Sequence, residues 1–99
     1  QVLDTRQYRT DQPNGDRASD LNDAALDPRN SLLGPEQAGW LRASLLESSA
    51  TWNVLAQQVM MALVNLSPAD DLKYSMDQWP GAAHERMTLM AFLADRKVP

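Results

Sequence analysis

Polar and apolar residues alternate at the start of the chain and then give way to a long polar stretch. Residues 1–9 alternate between two faces, which predicts a β-strand that ends among charged side chains. Residues 10–31 are rich in Asp, Asn, Pro and Gly, residue types that favour turns and compete for backbone hydrogen bonds. We therefore predict a long polar loop at 10–31 and expect it to be poorly ordered.

The clearest element boundary in the sequence is Gly34-Pro35-Glu36. Glycine suits the position before a helix, proline suits the first helical position, and a glutamate favours the positive end of the helix dipole. Leu41 and Leu45 then recur at helical spacing. The pattern predicts a helix from this boundary to about Ser48.

The second half of the chain repeats the succession of strand and helix. Residues 51–60 alternate again and predict a second strand, and residues 60–66 fit either its continuation or a helix. A loop at 67–81 and a helix at about 82–96 follow, with Met87 and Met90 on the apolar face of that helix. The tryptophans are interpreted as core anchors: Trp40, Trp52 and Trp79.

This order of elements, strand–long loop–helix–strand–loop–helix, is typical of an α/β fold. The chain begins inside a strand-like run, so we expect residues 1–99 to be an internal segment of a larger domain. Two strands with unpaired edges would also favour self-association of the isolated segment.

Composition narrows the classes of function. The chain is 43% hydrophobic and 22% charged, which is typical of a globular protein, and its net charge is −4. An acidic chain without clustered Lys and Arg is a poor binder of nucleic acid or anionic membranes. It has no cysteine, which excludes disulfides and cysteine-based zinc sites, and no apolar run long enough to predict a membrane span.

Two long runs carry a resemblance to a known family: residues 4–13 (DTRQYRTDQP) and residues 52–61 (WNVLAQQVMM). Together with Leu33-Gly34 through Gln37 and a weaker match at Asp77-Gln78-Trp79, they resemble the PhoD-like metal-dependent alkaline phosphatases and phosphodiesterases. Three positions depart from the family pattern. Cysteine is common where Asn14 stands, and aspartate and tyrosine are common where Pro80 and Ala82 stand.

The resemblance implies a layered metallophosphatase sandwich with calcium and iron at its centre. It also implies hydrolysis of phosphomonoesters and phosphodiesters by a periplasmic or secreted bacterial enzyme. The acidic and histidine-bearing motifs that bind metal in the family flank this region, and none of them occurs here. We therefore expect the segment to hold no metal, to supply one wall of the active site and to be inactive alone.

Candidate substrate-proximal or metal-proximal residues lie at the end of the first predicted strand: Asp4, Arg6, Tyr8 and Arg9. The ends of strands line the ligand crevices of α/β folds, and arginine binds phosphate through paired hydrogen bonds. The alternative is a structural ion pair between Asp4 and either arginine, which would hold the polar loop. No residue of the segment is predicted to be catalytic.

Gln57 is a further candidate, because the run Asn53–Gln58 is similar to a metallophosphatase strand that ends in a metal-binding histidine. Gln57 would then be a weak ligand or a hydrogen-bonding neighbour of the metal site. The alternative is a buried glutamine satisfied by backbone groups.

A different function also stays open, that of a small acidic helical interaction module which binds through the methionine-rich last helix.

Overall fold

The computed structural model describes residues 1–99, and all of its regular structure is helical. The three α-helices are α1 (Asp23–Leu26), α2 (Pro35–Glu47) and α3 (Ala83–Asp95). Two short 3-10 segments accompany them, Pro13–Asp16 and Trp79–Ala82, and the second leads directly into α3. No helix of the chain is both long and apolar enough to cross a membrane.

The predicted α/β fold class is wrong for these residues, since they contain no β-strand and no sheet. Of the two strands predicted at 1–9 and 51–60, only a parallel bridge between Val2 and Ala56 is formed. A second isolated bridge joins Ser19 and Tyr74. Without strands, the strand edges that would favour self-association are absent as well.

Side-chain amides take the place that a neighbouring strand would occupy beside residues 3–5. The amide of Gln37 accepts from the N–H of Asp4 and donates to its carbonyl oxygen, both at 2.7 Å. The amide of Gln58 accepts from the N–H of Thr5 at 3.0 Å and donates to the carbonyl oxygen of Leu3 at 2.8 Å. Because these backbone groups are already paired, the extended segment needs no strand partner.

The extended segment ends at a turn made by its own aspartate. The Asp4 carboxylate accepts from the backbone N–H groups of Arg6 at 2.9 Å and Gln7 at 3.0 Å. These hydrogen bonds, first that of Gln7 and then that of Arg6, lower the pKa of Asp4. An aspartate that bonds the backbone two and three residues ahead favours a turn over continued strand, so the predicted strand is cut short.

The boundaries of α2 agree with the sequence prediction, and the glycine at its start is required by geometry. Gly34 has φ of 77°, and a β-carbon there would lie 2.9 Å from the carbonyl oxygen of Tyr8. No side chain of residue 34 can cap the helix, but Glu85 of α3 holds the preceding turn. Its carboxylate accepts from the N–H of Leu32 at 2.8 Å and from the hydroxyl of Ser31.

A core of aliphatic residues joins the two long helices, and Trp79 lies fully buried at its centre. Its buried members are Leu3, Leu32, Leu33, Leu41, Leu45, Trp79, Ala82 and Leu89. The assignment of every tryptophan to the core is wrong, because Trp40 is 50% exposed and Trp52 is 80% exposed. The methionine face predicted for α3 is also mostly outside the core: Met87 and Met90 are exposed, while Leu89 is buried.

Residues 10–31 are attached to the rest of the chain by a second small core of Ala25, Tyr74 and Met76. Asn14, one of the departures from the family pattern, exchanges reciprocal amide hydrogen bonds with Asn22 at 3.0 and 2.9 Å. Asn22 also caps α1 by accepting from the N–H of Ala25. The expectation of poor order at 10–31 stays a prediction.

Replacing Gln58 by alanine tests whether the glutamine amides stabilise the extended segment. The change leaves the Leu3 carbonyl and the fully buried Thr5 N–H unpaired, so we expect a loss of about 1–3 kcal/mol in the free energy of unfolding. Gln7→Ala is the control, because the Gln7 amide contacts only the exposed Asp4 carboxylate. Equal effects of both changes in urea titrations would contradict this role.

Replacing two different glycines by alanine should have opposite effects on the stability of the protein. A β-carbon at Gly81 would overlap the carbonyl oxygen of Met76, so Gly81→Ala should destabilise the protein by about 1–3 kcal/mol or more. Gly39 lies inside α2 with no atom near the added carbon, so Gly39→Ala should stabilise by about 0.5–1 kcal/mol. Thermal unfolding of the two variants, compared with the unchanged chain, measures both shifts.

Candidate functional site

Two of the predicted candidates meet at an aspartate that was not among them. Arg6 donates through Nη1 to both carboxylate oxygens of Asp77, at 3.3 and 3.2 Å. Arg9 donates through Nη1 to the same carboxylate at 3.1 Å and to the Asp77 carbonyl oxygen at 2.8 Å. Gln12 completes the cluster with a hydrogen bond of 2.8 Å to Asp77 Oδ1.

The two arginines of this cluster differ in how many of their N–H donors remain free. The side chain of Arg9 is 9% exposed, and its other nitrogens donate to the carbonyl oxygens of Thr10 and Met76. The side chain of Arg6 is 50% exposed, and only its Nη1 is used. Nε and Nη2 of Arg6 make no hydrogen bond to the protein. The Arg9 donors are therefore engaged within the protein, whereas Arg6 presents free donors to the solvent.

Within the cluster two guanidinium groups face the one carboxylate of Asp77, and Asp16 also attracts Arg9. The hydrogen bond from Gln12 is the main cause that lowers the pKa of Asp77, with Arg6 adding to it and burial opposing it. Burial lowers the pKa of Arg9, and the negative charge of Asp77 opposes that shift. The aspartate thus stays ionised at neutral pH and holds both arginines in place.

The remaining candidates are placed around the cluster in different ways. Asp4 forms no ion pair with either arginine; its carboxylate shapes the turn that leads to Arg6. Tyr8 is 59% exposed and lies between the two arginines in the chain. Gln57 makes no hydrogen bond to either arginine, and its amide oxygen accepts from the indole N–H of Trp79 at 2.6 Å.

Sequence reasoning missed three residues that organise this region: Asp77, Gln37 and Gln58. Asp77 stood in a weak family match, and no spacing pattern relates it to arginines about seventy positions earlier. Gln37 also lay within a run that resembles the family. Gln58 likewise lies within the run 52–61, but neither run shows which backbone segment its glutamine contacts, and the effect of each glutamine depends on that contact.

Metal-binding side chains do not gather in residues 1–99. No three of the His, Asp and Glu side chains lie close enough together to hold a metal ion. His84 is exposed, and Asp71 bonds to the hydroxyl of Ser67 and pairs with Lys73 at 3.8 Å. The Asp77 carboxylate already accepts from Arg6, Arg9 and Gln12, so this donor set does not fit calcium or iron.

Two neighbouring depressions border the segment that carries the arginines. One, of about 490 Å³, is lined by Asp4, Arg6 and Gln58 among others. The other, of about 540 Å³, lies between Tyr8 and the first turns of α2. Gln37 lines both of them, so the two depressions adjoin through a single side chain.

The lowered pKa of Asp77 predicts a pH dependence of stability. A carboxyl group whose pKa is lower in the folded than in the unfolded chain stabilises the fold fully only above the pKa of the unfolded chain, near 3.8. This stabilisation is lost as the pH falls through the lower pKa of the folded state. We expect the difference in unfolding free energy between the unchanged chain and Asp77→Asn to shrink below about pH 4. Urea titrations from pH 7 to pH 3 measure it, and a constant difference would contradict the ionised role of Asp77.

Comparisons with known proteins agree with the resemblance found in the two long runs. Alkaline phosphatase D of Bacillus subtilis (strain 168) is 42% identical over 97 residues, which are 98% of this chain and 17% of that protein. A solved structure of PhoD aligns with 96% of this chain and 18% of its own, at 43% identity and a TM-score of 0.88. The chain therefore spans less than a fifth of either relative. The sequence model of the PhoD-like phosphatases matches residues 1–99, and this chain belongs to that family.

Proposed function

We propose that residues 1–99 form one wall of the active site of a metal-dependent hydrolase that acts on phosphate monoesters and diesters. Family membership supports the reaction class, since the Bacillus relative is an alkaline phosphatase. The bacterial relative also supports a bacterial enzyme, for which we propose a periplasmic or secreted location. The substrate partner is then a phosphate ester.

The free donors of Arg6 are the observation that carries this proposal. Nη1 is held by Asp77, which leaves Nε and Nη2 on the adjacent edge of the guanidinium group. That edge presents two parallel N–H donors, the geometry that matches two oxygens of a phosphate group. An arginine already oriented by a carboxylate loses less side-chain freedom when it binds substrate.

The other candidate residues have supporting functions in this proposal. Asp77 and Arg9 position Arg6, and Asp4 shapes the turn that precedes it. Tyr8 borders the substrate side of the same segment. For Gln57 we propose a hydrogen-bonding function beside the site, because its amide oxygen already accepts from Trp79.

Calcium and iron belong to the proposal only as cofactors of the intact enzyme. They supply charge that polarises phosphate oxygens and activates water. Their ligands would lie outside residues 1–99, whose donor set does not fit either metal. We propose that the segment alone is inactive for this reason.

Hydrolysis of a chromogenic phosphodiester and of a chromogenic phosphomonoester, in the presence of calcium and iron, tests the proposed function. The intact protein should release chromophore from at least one substrate, while the 99-residue chain should release none. Activity of the 99-residue chain would contradict its proposed inactivity. Absence of activity in the intact protein would contradict the hydrolase function.

Arg6→Ala in the intact protein tests the proposed phosphate contact. Loss of two charge-assisted hydrogen bonds should lower kcat/KM by about 100-fold or more. Arg6→Lys should recover only part of the loss, because an ammonium group cannot offer two parallel donors. The control is Arg29→Ala, which removes an exposed arginine whose only carboxylate partner is Asp27. Equal activity of the Arg6 and Arg29 variants would exclude the contact.

The acidic interaction module is a second candidate, favoured by one observation. Met87 is 49% exposed and Met90 is 44% exposed on α3, where flexible apolar side chains could contact a partner. A partner bound through α3 would protect both methionines from oxidation. Absence of hydrolysis by the intact protein together with such protection would favour this function over the hydrolase.

A further inference from the structure

The larger of the two depressions, of about 540 Å³, is lined by two aromatic side chains. Tyr8 comes from the arginine-bearing segment, and Trp40 comes from α2. Tyr8 is 59% exposed and Trp40 is 50% exposed, although both are large apolar rings. The buried side chain of Leu33 adds further apolar lining. Large rings held at the surface beside a cleft are available to contact a ligand.

Both sides of this cleft are held in fixed positions before any ligand binds. The Tyr8 backbone is packed against Gly34 so closely that a β-carbon on the glycine would lie 2.9 Å from the Tyr8 carbonyl oxygen. The amide of Gln37 is fixed by its two hydrogen bonds to the backbone of Asp4. A cleft with preformed walls loses little free energy to ordering when it is filled.

The charge of the cleft determines which part of a phosphate ester could enter it. Glu36 is the one charged residue that lines it, and Trp40 lies four positions later on the same side of α2. No Lys or Arg lines the cleft to offset this carboxylate, so the cleft disfavours a phosphate group. The adjoining depression also contains a carboxylate, Asp4, but it contains the cation Arg6 as well, and Gln37 separates the two depressions. An ester could therefore place its phosphate at Arg6 and its organic group between the aromatic rings.

We propose that the cleft between Tyr8 and Trp40 is a subsite for the alcohol portion of the substrate, and that it selects a planar aromatic or heteroaromatic ring. This inference rests on the proposed phosphate-ester hydrolase function. Tyrosine and tryptophan faces stack on planar rings, and one such contact changes affinity about 5-fold or more. An aliphatic group of similar size offers no π-face and gains only the area that it buries.

Binding of two non-hydrolysable phosphonates to the intact protein, measured by isothermal titration calorimetry, tests this subsite. Phenylphosphonate and cyclohexylphosphonate carry the same anionic group on rings with the same number of carbons, but only the phenyl ring is planar and has a π-face. We expect phenylphosphonate to bind at least about 5-fold more tightly. Trp40→Leu should remove this preference, while Trp40→Phe should retain most of it because a ring remains. Neither measurement depends on hydrolysis, so failure of the proposed reaction and failure of the subsite give different results.

Trp52→Leu is the matched control, because Trp52 is 80% exposed and does not line the cleft. It should leave the preference for phenylphosphonate unchanged. Thermal unfolding of each variant, followed by circular dichroism, confirms that the half-exposed Trp40 can be replaced without loss of the fold. Equal affinity for the two phosphonates in the unchanged protein would overturn the inference, and so would a preference that survives Trp40→Leu.

Discussion

Two glutamine amides hold the backbone of residues 3–5, and the position of the candidate side chains that follow depends on them. Gln37 pairs with both polar groups of Asp4, and Gln58 joins Leu3 to Thr5. These contacts satisfy buried backbone groups that would otherwise cost free energy to remove from water. The arginine-bearing segment begins directly after them, so its direction is set by side chains from distant parts of the chain.

Packing in the core and contacts made by α3 position Asp77 and the start of α2. Trp79 is fully buried, and the 3-10 segment that it begins leads directly into α3. From α3, Glu85 reaches the turn before α2 and fixes the start of that helix. Since Asp77 lies two residues before Trp79, burial of the tryptophan also positions the carboxylate that orients Arg6. Stability and the proposed substrate contact therefore depend on the same packed residues.

The local distribution of charge is compatible with the proposed phosphate contact, although the chain as a whole is acidic. The net charge of −4 is a property of the whole chain, whereas an anionic substrate responds to the groups within a few ångströms. Around Asp77 two arginines outnumber one carboxylate, and one of them keeps free donors. The adjoining aromatic cleft contains a carboxylate in place of a cation. In our proposal, this contrast separates the phosphate position from the ring position along one short segment.

The sequence by itself determined the family, both long helices and the boundary at Gly34-Pro35, because these depend on local residue types and on runs of matching residues. It also indicated Arg6 and Arg9 as candidates at the end of an extended segment. The prediction of two strands was wrong because alternation of polar and apolar residues predicts only an extended backbone. The tertiary structure decides which groups pair with that backbone. Here glutamine amides and an aspartate turn replaced the sheet. Asp77 and the exposed positions of Trp40 and Trp52 were likewise decided by contacts between residues far apart in the chain, which no local pattern encodes.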